Sequence, residues 1–178
     1  MTSDVKIRVL TERDAEVYWN LRREALEQEP QSFTESAEEH LAMPRERSAA
    51  RLRRKNHASL VMGAFFNGEL VGMAGFFREG QLKTRHKGRI WGFYVRANCR
   101  GKGVGRGLLV ALLERVKKLP GLEQVNLSVS SSQIAAKKLY RSLGFESFGV
   151  EEKALEIGDQ YLDEEHMVLR LNRRLNKA

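Results

Sequence analysis

The run Arg89-Ile90-Trp91-Gly92-Phe93-Tyr94-Val95-Arg96-Ala97-Asn98-Cys99-Arg100-Gly101-Lys102-Gly103-Val104-Gly105-Arg106-Gly107-Leu108-Leu109 decides how this chain folds. Its first part, Arg89 to Val95, is apolar enough for a central strand buried on both faces. Its last part opens a helix that carries Leu108, Leu109, Leu112, Leu113 and Val116 on one stripe, until Pro120-Gly121 stops it. Between the two, successive glycines remove Cβ atoms, so backbone N–H groups can turn toward one point where the helix N-terminus adds the positive end of its dipole. A tight turn alone needs one or two glycines; Gly101, Gly103, Gly105 and Gly107 together suit a loop that holds a phosphate or a diphosphate.

Spacing narrows the ligand. The dinucleotide pattern G-x-G-x-x-G fails, since a start at Gly101 meets Arg106 and a start at Gly103 meets Leu108 at the last glycine. The nucleotide loop G-x-x-x-x-G-K-[ST] is absent as well. Neither a nicotinamide nor an ATP site is expected.

Downstream, Val125, Leu127 and Val129 alternate with Asn126 and Ser128 as a strand. Ile90 to Val129 therefore reads as a strand-helix-strand unit, a parallel pair with a right-handed crossover. Ser130 to Ser132 can cap a short helix carrying Ala135, Leu139 and Leu143, ended by Gly144. Further strands follow Phe145, the last from Glu165 to Leu171.

Upstream, Val5, Ile7 and Val9 alternate with Lys6 and Arg8 as a half-buried strand, and Thr11 and Asp14 start a helix with Ala15, Trp19, Arg22 and Leu26 on one face until Pro30. A second helical stretch from about Ser36 to Lys55 is interrupted by Pro44. Leu60 to Phe66 and Leu70 to Phe77 are strands around Asn67-Gly68, a pair that tolerates positive φ and so signals a hairpin. The order predicts an α/β chain with a mixed sheet and flanking helices.

The whole sequence has 178 residues, 42% hydrophobic and 30% charged, which fits one domain over residues 1–178. Neither its start, Met1 to Lys6, nor any other segment has the run of about 20 apolar residues that crosses a bilayer, so no membrane association and a cytoplasmic location are expected. The single cysteine, Cys99, cannot make an internal disulfide or a multi-cysteine metal site. It reads as an incidental thiol in a reducing compartment, and no metal is expected. The net charge of +8 fits either nucleic acid or a polyanionic cofactor. It is segregated: bases gather at Arg45 to Lys55, Lys83 to Arg89, Arg96 to Arg106 and the C-terminal tail, whereas Glu24 to Pro44 holds six acids and no lysine or arginine.

Two blocks carry a family resemblance. Arg100, Gly103 and Gly105 fit R/Q-x-x-G-x-G/A, and Gln133-Ile134-Ala135-Ala136-Lys137-Lys138-Leu139-Tyr140-Arg141-Ser142-Leu143-Gly144-Phe145 is similar to N-x-x-A-x-x-L-Y-x-x-x-G-F, with Gln133 in place of the usual asparagine. In this order and about thirty residues apart, they resemble the GNAT family of N-acetyltransferases, and the element order extends the likeness over nearly the whole chain.

The resemblance implies the GNAT fold, a mixed, mostly antiparallel sheet with a splayed parallel strand pair, and transfer of an acetyl group from acetyl-CoA to a primary amine by direct attack in a ternary complex. The coenzyme's diphosphate would lie on Arg100, Gly101, Lys102, Gly103, Val104, Gly105 and Arg106. Its pantetheine would run as a substitute strand beside Phe93, Tyr94 and Val95, with Gln133 contacting that arm. Tyr140 takes the position of the family's general acid. No carboxylate lies within Ile90 to Val95, so His86, Glu35, Glu39 and Glu165 stand as alternative bases. The acceptor, a small-molecule or protein amine, would enter from the acid-rich side, Glu24 to Glu39 and Glu146 to Glu165, which suits a cationic amine. A dimer is common among family members, and a homodimer is the corresponding expectation. The rival readings are a basic nucleic-acid or ribosome-associated binding protein and a non-catalytic acyl-CoA sensor on the same scaffold; nucleic acid is the less expected partner.

Overall fold

The computed structural model describes residues 5–53 and 58–171. The expected end of the second helical stretch at Lys55, the start of the chain and the basic C-terminal tail lie outside the described residues. In chain order the elements are β1 (Val5–Val9), α1 (Ala15–Gln28), α2 (Ala37–Ala42), α3 (Glu46–Leu52), β2 (Ser59–Phe66), β3 (Glu69–Arg78), β4 (Lys87–Val95), α4 (Val104–Val116), β5 (Gln124–Ser130), α5 (Ile134–Ser142), β6 (Glu146–Ile157) and β7 (Gln160–Arg170). Pro44 divides the second helical stretch as its missing N–H requires, leaving α2 and α3 as separate short helices.

One sheet runs through the molecule in the order β1-β2-β3-β4-β5-β7-β6. Every pair is antiparallel except β4 with β5, the pair joined by α4. The sheet is therefore mixed, with its parallel step at the center. Asn67 and Gly68 turn β2 into β3 with φ of 50° and 83°, the left-handed pair that the Asn-Gly sequence predicts.

Two cores sandwich this sheet. On one face α4 buries Leu108, Leu109, Leu112, Leu113 and Val116 against Met62, Ala64, Val71, Ala74 and Phe76 of the strands. Each such leucine contributes about 1.5–3 kcal/mol by leaving water. On the other face Tyr18, Leu21, Ala25 and Leu26 of α1 pack on Val61, Leu70, Met73 and Tyr94. The helical periods of α1 and α4 thus fix which residues of each strand face which layer.

At β4 the structure departs from the expected strand buried on both faces. Ladder pairing with β5 covers only Lys87–Gln124, Gly88–Val125 and Arg89–Asn126. Beyond Arg89 the two strands separate, and Trp91, Gly92 and Phe93 are half-buried instead of buried. On the other side of β4, the register to β3 shifts: Gly75 pairs with Trp91 but Met73 with Tyr94, so one residue of β3 spans Gly92 and Phe93. Gly92 takes up the extra residue with φ of 62°, a left-handed conformation that costs a glycine little. This bulge bends β4 away from β5 and opens the sheet at its middle.

Candidate active site

The opened gap is a cleft of about 380 Å3. Its walls are Ile90 to Val95 of β4 and Leu127 to Ser130 of β5; its upper end is the glycine loop, and its lower flank is α5 through Gln133, Ala136, Leu139 and Tyr140. The edge of β4 that faces β5 has no strand against it beyond Arg89, so its main-chain polar groups are presented to the cleft.

Above it the chain enters α4 through two left-handed glycines, Gly101 with φ of 72° and Gly103 with φ of 80°, the latter capping the helix. A Cβ at either would meet no atom within 4 Å, so the space in front of the helix is open. The first bond inside α4 runs from Gly107 N–H to Gly103 O at 2.9 Å. The amides of Val104, Gly105 and Arg106 are therefore the donors that a helix start leaves without a helical acceptor. Gly105 is needed for a different reason: a Cβ there would stand 3.1 Å from Phe93 Cζ, where the helix crosses β4.

The loop's long side chains are occupied. Arg100 donates from Nε to Val95 O (2.8 Å) and from Nη1 to Glu29 Oε1 (2.8 Å). Lys102 reaches back to Asn98 O at 3.0 Å, Arg106 donates to Ser142 Oγ at 2.9 Å, and Val104 turns into the α4 core. Cys99 is buried in that same core. The loop thus offers main-chain donors with a basic rim. Glu29, which follows α1, was not singled out by the sequence; it joins Arg100 to the Gln133 amide, whose Nε2 stands 3.4 Å from Glu29 Oε2. Gln133 itself caps α5 at the cleft wall.

Tyr140 is buried between Phe93 (ring centroids 5.9 Å apart) and Phe145 (5.8 Å) and still lines the cleft. Burial pushes its hydroxyl well above the ordinary phenol pKa, and among the described residues no hydrogen bond offsets this. The hydroxyl stays protonated across the physiological range. Tyr94 turns the opposite way: its hydroxyl meets Glu24 (3.1 Å) and Gln28 (2.9 Å) of α1. Burial first, then the Glu24 charge, pushes it up to about 12. Only the backbone of Tyr94 is available to a ligand in the cleft.

The four candidate bases are not brought together. His86 precedes β4 at the closed end of the parallel pair, where its carbonyl accepts from Glu123 N–H at 2.8 Å, and it does not line the cleft. Glu39 closes a capping box with Ser36 at the start of α2. Glu35 accepts from the Arg22 guanidinium through Nε at 2.9 Å and through Nη2, with Arg51 3.9 Å away. Burial alone would raise its pKa, but the two arginines outweigh that and hold it below the ordinary carboxylate value. Glu165 is treated alike by Lys137 (3.3 Å) and Arg141 (2.7 Å), whose hydrogen bonds overcome its burial.

The same pairing reaches several acids of the acid-rich stretches. Glu24 is bound by Arg96 (3.0 Å), Glu29 by Arg100, Glu35 by Arg22, and Glu146 by Arg170 (2.8 Å). Part of the charge that looks segregated along the sequence is thus paired in space. Ser128, read from the sequence only as a strand position, lines the cleft from β5 and hydrogen-bonds His166 of β7.

A sequence profile of the acetyltransferase (GNAT) family matches residues 18–145. The chain belongs to the GNAT acetyltransferase family. Spermine/spermidine N(1)-acetyltransferase of Bacillus subtilis (strain 168) is 33% identical over 97 residues, 52% of this chain and 63% of that protein, so the match spans under two thirds of the relative's length. Among solved structures, a GNAT acetyltransferase from Streptococcus pneumoniae superposes with a TM-score of 0.85 at 22% identity, covering 95% of this chain and 100% of that one. A GNAT-superfamily phosphinothricin acetyltransferase from Sinorhizobium meliloti, solved in complex with AcCoA, gives 0.81 at 21% identity over 94% and 89% of the two chains. These two likenesses establish the GNAT fold, with the strand-loop-helix block from Arg89 to Leu109 inside the matched region.

Proposed function

We propose that this chain transfers the acetyl group of acetyl-CoA to an amine, by direct attack with both substrates bound. The observation that carries the proposal is the broken ladder between β4 and β5, which ends at one side in the free amides of Val104, Gly105 and Arg106 and at the other in a protonated Tyr140. Coenzyme A matches those parts chemically. Its diphosphate suits the helix amides and the rim of Arg100 and Arg106. Its pantetheine, an extended chain with two amides, suits the unpaired edge of β4 from Trp91 to Val95 and the apolar wall of Ala136 and Leu139.

The chain's own groups then do the chemical work. A backbone N–H near the bulge at Gly92 stabilises the negative charge that grows on the thioester oxygen as the amine nitrogen attacks. The Tyr140 hydroxyl donates to the departing sulfur, a role that its raised pKa suits because the proton is in place at neutral pH. Glu35, Glu39, Glu165 and His86 are unsuited to take the amine proton, the first and third because neighbouring cations lower their affinity for it, Glu39 because it caps a helix, and His86 because it stands away from the cleft.

The acceptor is an amine. The likeness to a spermine/spermidine acetyltransferase makes a polyamine the first compound to test. Selection of a cation would have to come from acids other than Glu24, Glu29 and Glu35, which are already paired.

The test is thiol release from acetyl-CoA with a panel of amines, with Tyr140→Phe alongside. The variant should bind acetyl-CoA as wild type does in calorimetry while kcat falls by about 10²-fold or more. Acetyl-CoA that fails to bind at all would end the proposal.

A further inference from the structure

On the face of the sheet turned toward α1 to α3, three strands contribute one continuous hydrogen-bonded line. Ser128 of β5 stands directly across the ladder from His166 of β7, with Oγ 2.8 Å from Nδ1. The other ring nitrogen, Nε2, lies 3.1 Å from Glu151 Oε2 of β6. Ser128 alternates with Leu127 and Val129, which are buried in the α4 core, so its hydroxyl points away from α4. Extending the parallel register by two residues beyond Arg89–Asn126 brings Ser128 level with Trp91 across the gap, next to the bulge at Gly92.

The protonation pattern follows from donor chemistry. A carboxylate can only accept, so Nε2 carries the hydrogen of the neutral imidazole and Nδ1 is the acceptor. Ser128 must then donate to Nδ1, which leaves its oxygen lone pairs free toward the cleft.

From this geometry we infer that Ser128 and His166 form the proton relay that deprotonates the attacking amine, with Glu151 holding the ring. The inference rests on the acetyl-transfer reading. The acceptor arrives as an ammonium, and one of its N–H bonds breaks as that proton moves to Ser128 Oγ; the serine hydroxyl hydrogen moves to His166 Nδ1, so serine ends as it began. The nitrogen lone pair is freed for attack, and the imidazolium formed is paired with Glu151. His166, a quarter exposed, returns the proton to water after turnover. Ser128 is the residue that touches the substrate, and His166 acts through it.

Among the described residues the charged groups around His166 are few. Glu164 of β7, beside it on the same face, is half-buried and has its pKa raised by burial first, against the opposing influence of His166 and of Arg89 from β4. Glu151 belongs to β6, and the turn Pro30–Ser32, which packs on β5 and β6, carries no charge.

The experiment measures kcat/KM against pH, from about 6 to about 10, for an amine that wild type acetylates. His166→Gln should lower kcat/KM by about 10²–10⁴-fold and remove the acidic limb of the profile. Ser128→Ala should fall by a similar factor, and the double variant should lose no more than either, as expected for one pathway. Acetyl-CoA affinity by calorimetry should stay at the wild-type value in all three, which also reports that they fold. In ligand-free wild type, nitrogen NMR of labelled histidine should show His166 protonated at Nε2 and not at Nδ1.

An unchanged pH profile in His166→Gln overturns the relay. So does loss of the acidic limb in Glu164→Gln alone, which would make Glu164 the base, or an acetyl group trapped on Ser128, which would make it a nucleophile. If wild type acetylates no amine, the acetyl-transfer reading falls and takes the relay with it.

Discussion

Removing Glu35 tests both the fold and the assignment of roles. Arg22 is 6% exposed and Glu35 21%, and the two meet between α1 and β4, where the guanidinium stands 5.7 Å from the Phe33 ring and 5.6 Å from the Trp91 ring. Among the described residues Arg22 Nη1 already lacks a partner, and a Cβ on Gly92 would come within 3.3 Å of it. Glu35→Ala would strip Nε and Nη2 of their acceptor as well and leave this buried cation uncompensated. Breaking a buried pair typically costs about 3–5 kcal/mol, and because water reaches a fifth of Glu35 the lower end, about 3 kcal/mol, applies here. For a chain of this size that corresponds to a fall in Tm of about 6–12 °C. Urea unfolding read by tryptophan fluorescence is a direct assay, since Trp91 and Trp19 flank the region. Arg22→Met combined with Glu35→Ala should recover much of the loss, because the stranded charge is gone. The reasoning fails if Glu35→Ala costs under about 1 kcal/mol, below even a modest charge-assisted hydrogen bond, or if the double variant is no more stable than the single. Glu35→Gln, which keeps one acceptor, should retain most of kcat/KM; abolished turnover in a stable Glu35→Gln would restore Glu35 as the base.

Three further outcomes are expected. The Asp14 carboxyl is held at about 2 by hydrogen bonds from Arg8, against an ordinary 3.8; a folded-state pKa below the unfolded one means stability of about 2 kcal/mol that is complete above pH ~4 and lost on acidification toward pH ~2. Asp14→Asn should flatten that part of an acid-unfolding curve. Gly103→Ala forces a Cβ onto φ of 80° and should cost about 1–2 kcal/mol of stability, together with a weaker coenzyme A affinity in calorimetry, because it disturbs the turn that aims the helix amides. Gly105→Val should leave the loop conformation intact but push Phe93, 3.1 Å from the new Cβ, into the cleft, so coenzyme affinity should fall more than Tm does.

Local chemistry made the frame readable. The leucine stripe of α4, the Asn67-Gly68 turn and the glycine run each specify backbone geometry within a few residues, and the structure follows them. Strand β4 was less legible from its own residues, since an apolar run reports that a segment is sheltered but not whether its neighbour stays hydrogen-bonded to it; the departure of β5 after Asn126 was expected only through the family resemblance, and the bulge at Gly92 depends on both partners. Charge patterning misled for a related reason. Glu24 and Glu29 look unopposed because their arginine partners, Arg96 and Arg100, lie some seventy residues on. The line of Ser128, His166 and Glu151 was invisible because its members sit on three strands, and only the antiparallel register of β5, β7 and β6 aligns them.

The unzipped middle of the sheet has a consequence for the protein at rest. A strand margin normally lies at the outside of a sheet, where charge or a covering helix discourages strangers from docking. Here β4 and β5 each present such a margin from within, sheltered by helices yet not sealed. A ligand laid along it would complete the weave, so occupancy and folding draw on the same main-chain contacts, and resistance to heat should climb with ligand concentration as a natural accompaniment of binding.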